Sequence, residues 1–476
     1  MPEHPSTKRL HWLLWLFLAW IAVIFGRLVW LQVFRHDDLL HLAQQQQQRT
    51  VEIQANRGAI LDRSGQPLAK SLPAESVVVN PQKIPDAEVA ADLLSRVLDL
   101  KRGPLLESIE TAKLRGSGFL WVKRKVSSDE AERLRTLKLD WVDFRPEMRR
   151  FYPHGTLASH VLGSMGMVSH DDTAERGTGG IESTYDEDLA GQPGVARIFT
   201  DVKQNPYDSV MARKPEPGAD ITLTIDTNLQ YDAEKELERA LESSGAVSGS
   251  IVAMNPYTGD VLAMANRPTY DPNLPPQPDE APDARSNLAI TTPFEPGSVF
   301  KVITLSAALE TTHLGPDSII NCLNGSIKLA GRVIHDEHRY GMMSMADVLA
   351  HSSNIGAIQI GLKVGNESLY KYQRRFGFGH TTGIELPGES AGMLRRVEQW
   401  GPSSIGSLAM GHEVSVTSIQ LAVAGAAIAN GGLRVKPRLV LSRQKPGEPV
   451  ERFAPDKPQR IIAPETAIKM RQMLDD

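Results

Sequence analysis

The sequence predicts an α+β multidomain chain: one N-terminal transmembrane helix, then a β-rich domain, then a domain in which a sheet is flanked by helices. Three observations carry this. An almost wholly apolar run extends from Leu10 to Phe34. A break rich in proline and glycine, Arg213-Lys214-Pro215-Glu216-Pro217-Gly218, divides the rest of the chain. Beyond the break come a strand pattern, a helix pattern and a hairpin pattern, the order expected of a sheet with helices against it. The length of 476 residues is too great for one core and fits about two or three domains.

The apolar run is long enough to cross a bilayer as a helix, which takes ~20 residues. Arg27 is its one charge, and four of the seven tryptophans (Trp12, Trp15, Trp20, Trp30) lie in it, as suits membrane interfaces. A cleaved signal peptide needs a shorter apolar core and a small-x-small site. Gly26-Arg27-Leu28-Val29-Trp30 offers none. A buried helix would need a polar face or a place deeper in the chain. The run is therefore read as an uncleaved anchor. Lys8 and Arg9 precede it, so the positive-inside rule keeps residues 1–9 cytoplasmic and exports everything after about residue 35.

Residues 38–50, with the run Gln44 to Gln48, read as a polar helical continuation of the anchor. Val77-Val78-Val79 reads as a strand bounded by Pro73 and Pro81. Ser127 to Leu139 reads as a charged helix with Ser128 as its cap and Glu130 nearby. After the break, Asp220 to Asp226 alternates as a strand and Thr227 to Leu241 has helical spacing. Ser248–Met254 and Asp260–Ala265 form two strands around the turn Asn255-Pro256-Tyr257-Thr258-Gly259. The domains expected are thus 1–9, the anchor 10–34, a β-rich domain 35–215 and a C-terminal domain 216–476.

Composition excludes several classes. Hydrophobic content of 41% and charged content of 23% suit a globular protein. A net charge of -5 gives no footprint for nucleic acid. Cys322 is the only cysteine, so no internal disulfide forms. His335-Asp336-Glu337-His338 lacks the spacing of a helical zinc motif and reads as a polar loop. No cofactor or metal is expected.

The chemistry centres on Pro293-Phe294-Glu295-Pro296-Gly297-Ser298-Val299-Phe300-Lys301. Pro-Gly ends one segment, and Ser298 opens an apolar helix through Val302, Ile303, Leu305 and Ala308. One helical turn brings Lys301 beside the Ser298 hydroxyl. A serine needs a base to become a nucleophile, and lysine serves only if burial or nearby positive charge lowers its pKa from ~10.4. Free N–H groups at the helix start would stabilise an oxyanion. Such a spacing alone is usually bland. Ser368-Leu369-Tyr370-Lys371 and Ser442-Arg443-Gln444-Lys445 repeat it without a preceding Pro-Gly. Ser352-Ser353-Asn354 adds a second serine that can relay a proton and an amide that can hold a peptide. Its bland reading is a helix-to-loop cap.

S-x-x-K with an S-x-N element occurs together in acyl-serine enzymes that meet β-lactams. Here the chain resembles the class B penicillin-binding proteins over nearly its whole length. Arg57-Gly58-Ala59-Ile60-Leu61-Asp62-Arg63 with Ser64-Gly65-Gln66-Pro67-Leu68-Ala69 resembles the first motif of that family's pedestal. Arg150-Phe151-Tyr152-Pro153 with His160-Val161-Leu162-Gly163 resembles a second, and Gly179-Gly180-Ile181-Glu182 through Leu189-Ala190-Gly191 a third. Leu223-Thr224-Ile225-Asp226 with Gln230 resembles the start of the transpeptidase domain. Glu295 before Pro296-Gly297-Ser298 is similar to the division-specific FtsI type.

The resemblance implies a penicillin-binding/β-lactamase-like transpeptidase domain on a pedestal. It implies a peptidoglycan D,D-transpeptidase acting in septal wall synthesis, with Ser298, Lys301, Ser352 and Asn354 catalytic and Glu295 and Ser353 at the substrate. The implied partners are stem peptides, lipid-linked precursor strands, β-lactams, the membrane, and division-machinery membrane proteins including a glycosyltransferase. The implied location is the bacterial cytoplasmic membrane, single-pass, with the bulk of the chain extracytoplasmic. One element departs from the pattern: no Lys-Thr-Gly or Lys-Ser-Gly occurs. In the family that lysine binds the substrate carboxylate, and its strand gives an oxyanion-hole N–H. Residues 467–476 resemble the helix shortly before that strand, so the chain is expected to be incomplete, to fold poorly in its C-terminal domain and not to transpeptidate as it stands. The rivals are a β-lactam sensor or β-lactamase relative, which would lack the pedestal motifs, and a non-catalytic division scaffold without the third motif.

Overall fold

The computed structural model describes residues 5–36, 48–167, 175–200 and 206–475. The chain divides into two compact units: Met1–Ala55 with Gln192–Glu216, and Asn56–Gly191 with Pro217–Asp476.

In the first unit a helix runs from Pro5 to Val29 and continues as a π-turn, Trp30–Phe34. Leu10–Phe34 has a mean hydropathy of 2.1 and none of it is buried against protein, as an anchor in lipid requires. The Arg27 guanidinium lies 4.3 Å from the centre of the Trp30 ring, which gives the one charge of the run an aromatic partner. Residues 48–50 belong to a strand, Gln48–Ile53, rather than to the polar helix expected over 38–50; residues 38–47 of that expectation lie outside the described ones. Gln48–Ile53 and Pro206–Arg213 flank Gly194–Thr200 in an antiparallel sheet.

The second unit holds a mixed seven-stranded sheet. Its long strand, Pro67–Val79, pairs with Val142–Phe151 along one side. Along the other it pairs with Ile60–Leu61 near its start and Leu120–Val126 near its end. Pro73 was expected to bound a short strand here, but it lies inside the long one. Residues 71–74 are paired only on the Val142–Phe151 side, so a residue without an N–H is tolerated at this local edge. The sheet continues past the 213–218 break, because Asp220–Leu223 runs parallel to Ile60–Leu61 and antiparallel to Val440–Gln444. Proline and glycine therefore interrupt the chain locally, while hydrogen bonding joins the segments on either side.

The three pedestal-like motifs meet in one place. Glu182, fully buried, accepts from Arg57 Nε at 2.7 Å and from Arg150 Nε at 2.6 Å. Arg57 also pairs with Asp186 at 2.8 Å. Charges this deep persist only when paired. A separate apolar core under the sheet gathers Val77, Ala91, Leu94, Leu98, Ile109 and Leu134. Its helix Ser128–Thr136 is capped by Ser127, not Ser128: Ser127 Oγ accepts from the Glu130 N–H, and Glu130 reaches back to the Ser127 N–H in a capping box.

Beyond the break, Asp226 caps the helix Thr227–Ser244, which ends on Gly245 in the left-handed region. Ala233 and Leu237 of that helix pack on Ala263 and Ala265 of the hairpin Gly249–Met254/Val261–Arg267. The remainder is mainly helical around the largest apolar cluster, which includes Phe300, Ile303, Leu305, Ile355, Ile358 and Phe378. Its central helix, Lys301–Thr311, is buried nearly all round, so its N-terminal turn is held rigidly at the surface of the core.

Candidate active site

Ser298 lies in a 3-10 turn, Gly297–Phe300, that leads into the helix Lys301–Thr311. A neighbouring segment clamps the approach to this turn. Phe294 and Val416 exchange two backbone hydrogen bonds of 2.9 Å, and the Gly297 N–H donates to the Gly411 carbonyl at 3.1 Å. Glu295 adds side-chain links, accepting from His412 Nδ1–H at 3.1 Å and the Glu413 N–H at 2.9 Å. The bond from His412 holds the Glu295 carboxyl below its usual range. Glu295 thus fastens the Ser298 loop to its neighbour and remains exposed. Ser298 is exposed and Lys301 fully buried.

The Lys301 amine is ringed by oxygen. It makes hydrogen bonds to Ser298 Oγ at 3.2 Å, Ser352 Oγ at 3.0 Å and Asn354 Oδ1 at 2.9 Å, and to the Ser352 carbonyl. An ammonium has three protons and so cannot serve four acceptors fully. A neutral amine can make three contacts of its own. It donates two N–H to the Ser352 carbonyl and Asn354 Oδ1, which can only accept, and its lone pair receives the proton of a serine hydroxyl. Burial lowers the Lys301 pKa to about 8, against an opposing pull from the negative charge of Asp336.

The second element forms where two helices meet. Met345–Ala350 ends, and Ser352 takes the left-handed conformation with φ of 52°. Both its hydroxyl and its carbonyl face Lys301. Ser353, expected at the substrate, is instead fully buried. Its hydroxyl caps the helix Asn354–Val364 by accepting from the Gly356 N–H and donates to Asp336 at 2.8 Å, so its one proton is held inside the protein. The cap reading thus holds for Ser353, while Ser352 and Asn354 stand at the lysine.

Asp336 is the residue that sequence reasoning passed over as part of a polar loop. It follows the strand Arg332–His335 and accepts from Ser353, from the Asn354 N–H and from the Ile355 N–H at 3.1 Å. A carboxylate there matches the positive end of the helix. No local signal marks it, since its partners lie 17–19 residues on. The rival motifs diverge from this geometry. Ser442 sits on a strand, and Lys371 is exposed beside Ser368.

The family model of the penicillin binding protein transpeptidase domain matches residues 249–476, and that of the penicillin-binding protein dimerisation domain matches 52–223. Stage V sporulation protein D of Bacillus subtilis is 32% identical over 98% of this chain and 72% of its own length. The chain belongs to the class B penicillin-binding proteins. Another relative, peptidoglycan D,D-transpeptidase FtsI of Escherichia coli, is 32% identical over 93% of the chain and 74% of its own. The crystal structure of penicillin binding protein 3 from Mycobacterium tuberculosis, complexed with aztreonam, aligns with a TM-score of 0.66 at 28% identity, covering 89% of this chain and 75% of that one. The transpeptidase match spans the stretch that carries Ser298, Lys301, Ser352 and Asn354.

Proposed function

We propose that the chain is a peptidoglycan D,D-transpeptidase working through an acyl-enzyme on Ser298. The observation that carries this is the buried Lys301 amine in hydrogen-bond reach of Ser298 Oγ, Ser352 Oγ and Asn354 Oδ1. Neutral Lys301 takes the Ser298 proton as Oγ attacks the carbonyl of the D-alanyl-D-alanine bond of a stem peptide. Ser352 then relays that proton to the departing amine, the C–N bond breaks and D-alanine leaves. An amine of a neighbouring stem attacks the ester, the cross-linking amide forms, and Ser298 recovers its proton. Asn354 orients the peptide of the substrate. A β-lactam follows the first half of this path: its ring amide opens and the acyl group stays on Ser298.

The one helix among the described residues that is long and apolar enough to cross a membrane, Leu10–Phe34, supports a single-pass membrane protein. We place it in the cytoplasmic membrane with Lys8 and Arg9 inside and the catalytic part outside, bounded near residues 215–216 from its pedestal. Relatives named for division and sporulation support a septal role beside other division-machinery membrane proteins, a glycosyltransferase among them.

Fluorescent penicillin followed by mass spectrometry of a digest tests the assignment. The adduct is expected on the peptide containing Ser298, and Ser298→Ala should abolish it. An adduct on Ser368 or Ser442 would overturn the choice of nucleophile. Absence of any adduct on folded protein would favour the scaffold reading.

A further inference from the structure

A cleft of about 1090 Å³ opens beside the helix Asn366–Arg375, bordered by the loop after it and by the segments around Arg434 and Asp456. Neither Ser298 nor Lys301 lines it. Its charge is one-sided. Lys371, Arg374, Arg375, Arg434, Lys436 and Lys457 face only two carboxylates, Glu367 and Asp456, in a chain whose net charge is -5. Lys436 already holds Asp456, at 3.3 Å.

The two half-buried guanidiniums, Arg374 and Arg434, have no carboxylate partner among the described residues. Arg374 Nη1 donates to the Gly379 carbonyl at 3.0 Å, and its Nη2 lies 3.3 Å from His380 Nδ1. Arg434 Nη2 donates to Gln459 Oε1 at 2.8 Å. Gly379 makes this packing possible: its φ is +74°, and a Cβ there would stand 2.8 Å from Arg374 Nη1. Burial lowers the Arg434 pKa, and burial with the charges of Arg374 and Arg434 lowers that of His380. With Nδ1 accepting from the Arg374 guanidinium, the ring carries its proton on Nε2, which is left as a donor.

A half-buried charge with only neutral partners has lost hydration without a counter-charge. A multivalent oxyanion would supply one through paired charge-assisted hydrogen bonds to the guanidinium forks. The volume is that of a small-molecule site, which runs to roughly 300–1,000 Å³, so it has room for more than a bare phosphate.

We propose that this cleft binds a phosphoryl-bearing anion of the pyrophosphate class, gripped by Arg374 and Arg434, with Lys371 and the His380 Nε2–H completing the site. The same chemistry is offered by a soluble pyrophosphate ester and by a pyrophosphate-linked lipid headgroup.

The test uses the full chain in non-ionic detergent, with calorimetric titration of inorganic pyrophosphate, of citrate, and of geranyl pyrophosphate kept below micelle formation. Saturable pyrophosphate binding is expected, weakening as salt rises. R374Q and R434Q should each weaken it about ten- to a hundredfold, the range for a lost charged hydrogen bond. Pyrophosphate should also raise the melting temperature of the wild type but not of R434Q, while R434K, which keeps the charge, retains part of the rise. A lower Kd for geranyl pyrophosphate than for inorganic pyrophosphate would assign the lipid source, and the reverse a soluble one. No saturable pyrophosphate binding, citrate binding as tight as pyrophosphate, or undiminished binding in both glutamine variants that melt as the wild type does would each overturn the proposal.

Discussion

Acylation by a β-lactam should follow the proton on Lys301. A lysine in water, with a pKa of ~10.4, has only about 0.04% of its amines neutral at pH 7. With the pKa lowered to about 8 by burial, the neutral fraction is about one in eleven, a gain of roughly two hundredfold in competent base. A less basic amine is a weaker proton acceptor, so the net gain in rate is smaller. The shape of the pH profile is nevertheless fixed. The second-order rate constant for acylation should climb about tenfold per pH unit below the pKa and level off above about pH 8. Stopped-flow acylation with a chromogenic or fluorescent β-lactam between about pH 6 and pH 10 measures this. Asp336→Asn is the accompanying perturbation. The Asp336 charge stabilises the ammonium and raises the Lys301 pKa, so its removal must move the inflection to lower pH. Asparagine keeps the shape and one acceptor for the Asn354 N–H. A profile flat from pH 6, one still rising past pH 10, or an inflection that moves upward in Asp336→Asn would refute the role of Lys301 as base.

Two further outcomes are expected. Gly411→Ala places a Cβ 2.1 Å from the Gly297 carbonyl oxygen at a φ of +85°; the clamp on the nucleophile turn must open, and acylation should fall at least about tenfold, from strain of ~1–2 kcal/mol in the left-handed backbone plus the clash. A variant acylating at the wild-type rate would show that the clamp does not position Ser298. Glu182→Ala strands the Arg57 and Arg150 guanidiniums that it pairs at 2.7 and 2.6 Å; chemical denaturation should report a loss of about 3–5 kcal/mol, and a loss under about 1 kcal/mol would mean the ion cluster relaxes into water.

What the sequence determined by itself was local. The N-terminal apolar helix was legible because a run of about 25 mostly apolar residues is long enough to cross a bilayer. The Ser298–Lys301 relation was legible because helical periodicity places residues three apart on one face. The helix after Asp226 followed from its helical spacing, and the hairpin around Asn255 to Gly259 from turn chemistry, which acts over a few residues. Capping chemistry misplaced the cap at Ser128 by one position, since Ser127 and Ser128 are equally suited and only the start of the helix chooses between them. Pro73 misled for a different reason: whether proline ends a strand depends on whether its N–H side faces a partner, and that is a property of the sheet.

The site beyond Ser298 and Lys301 was decided by tertiary structure. Ser352 and Asn354 reach the amine from 51 and 53 residues away. Their neighbour Ser353 points into the core because Ser352 takes a left-handed conformation before the next helix begins. Asp336 acts through a helix N-terminus that its own neighbours in the chain do not reveal. The lowered pKa of Lys301 is likewise a consequence of burial on all sides, and burial is set by how the Lys301–Thr311 and Asn354–Val364 helices pack together. Periodicity and turn chemistry fix what lies within a few residues, whereas desolvation and charge act through space between segments that only folding brings together.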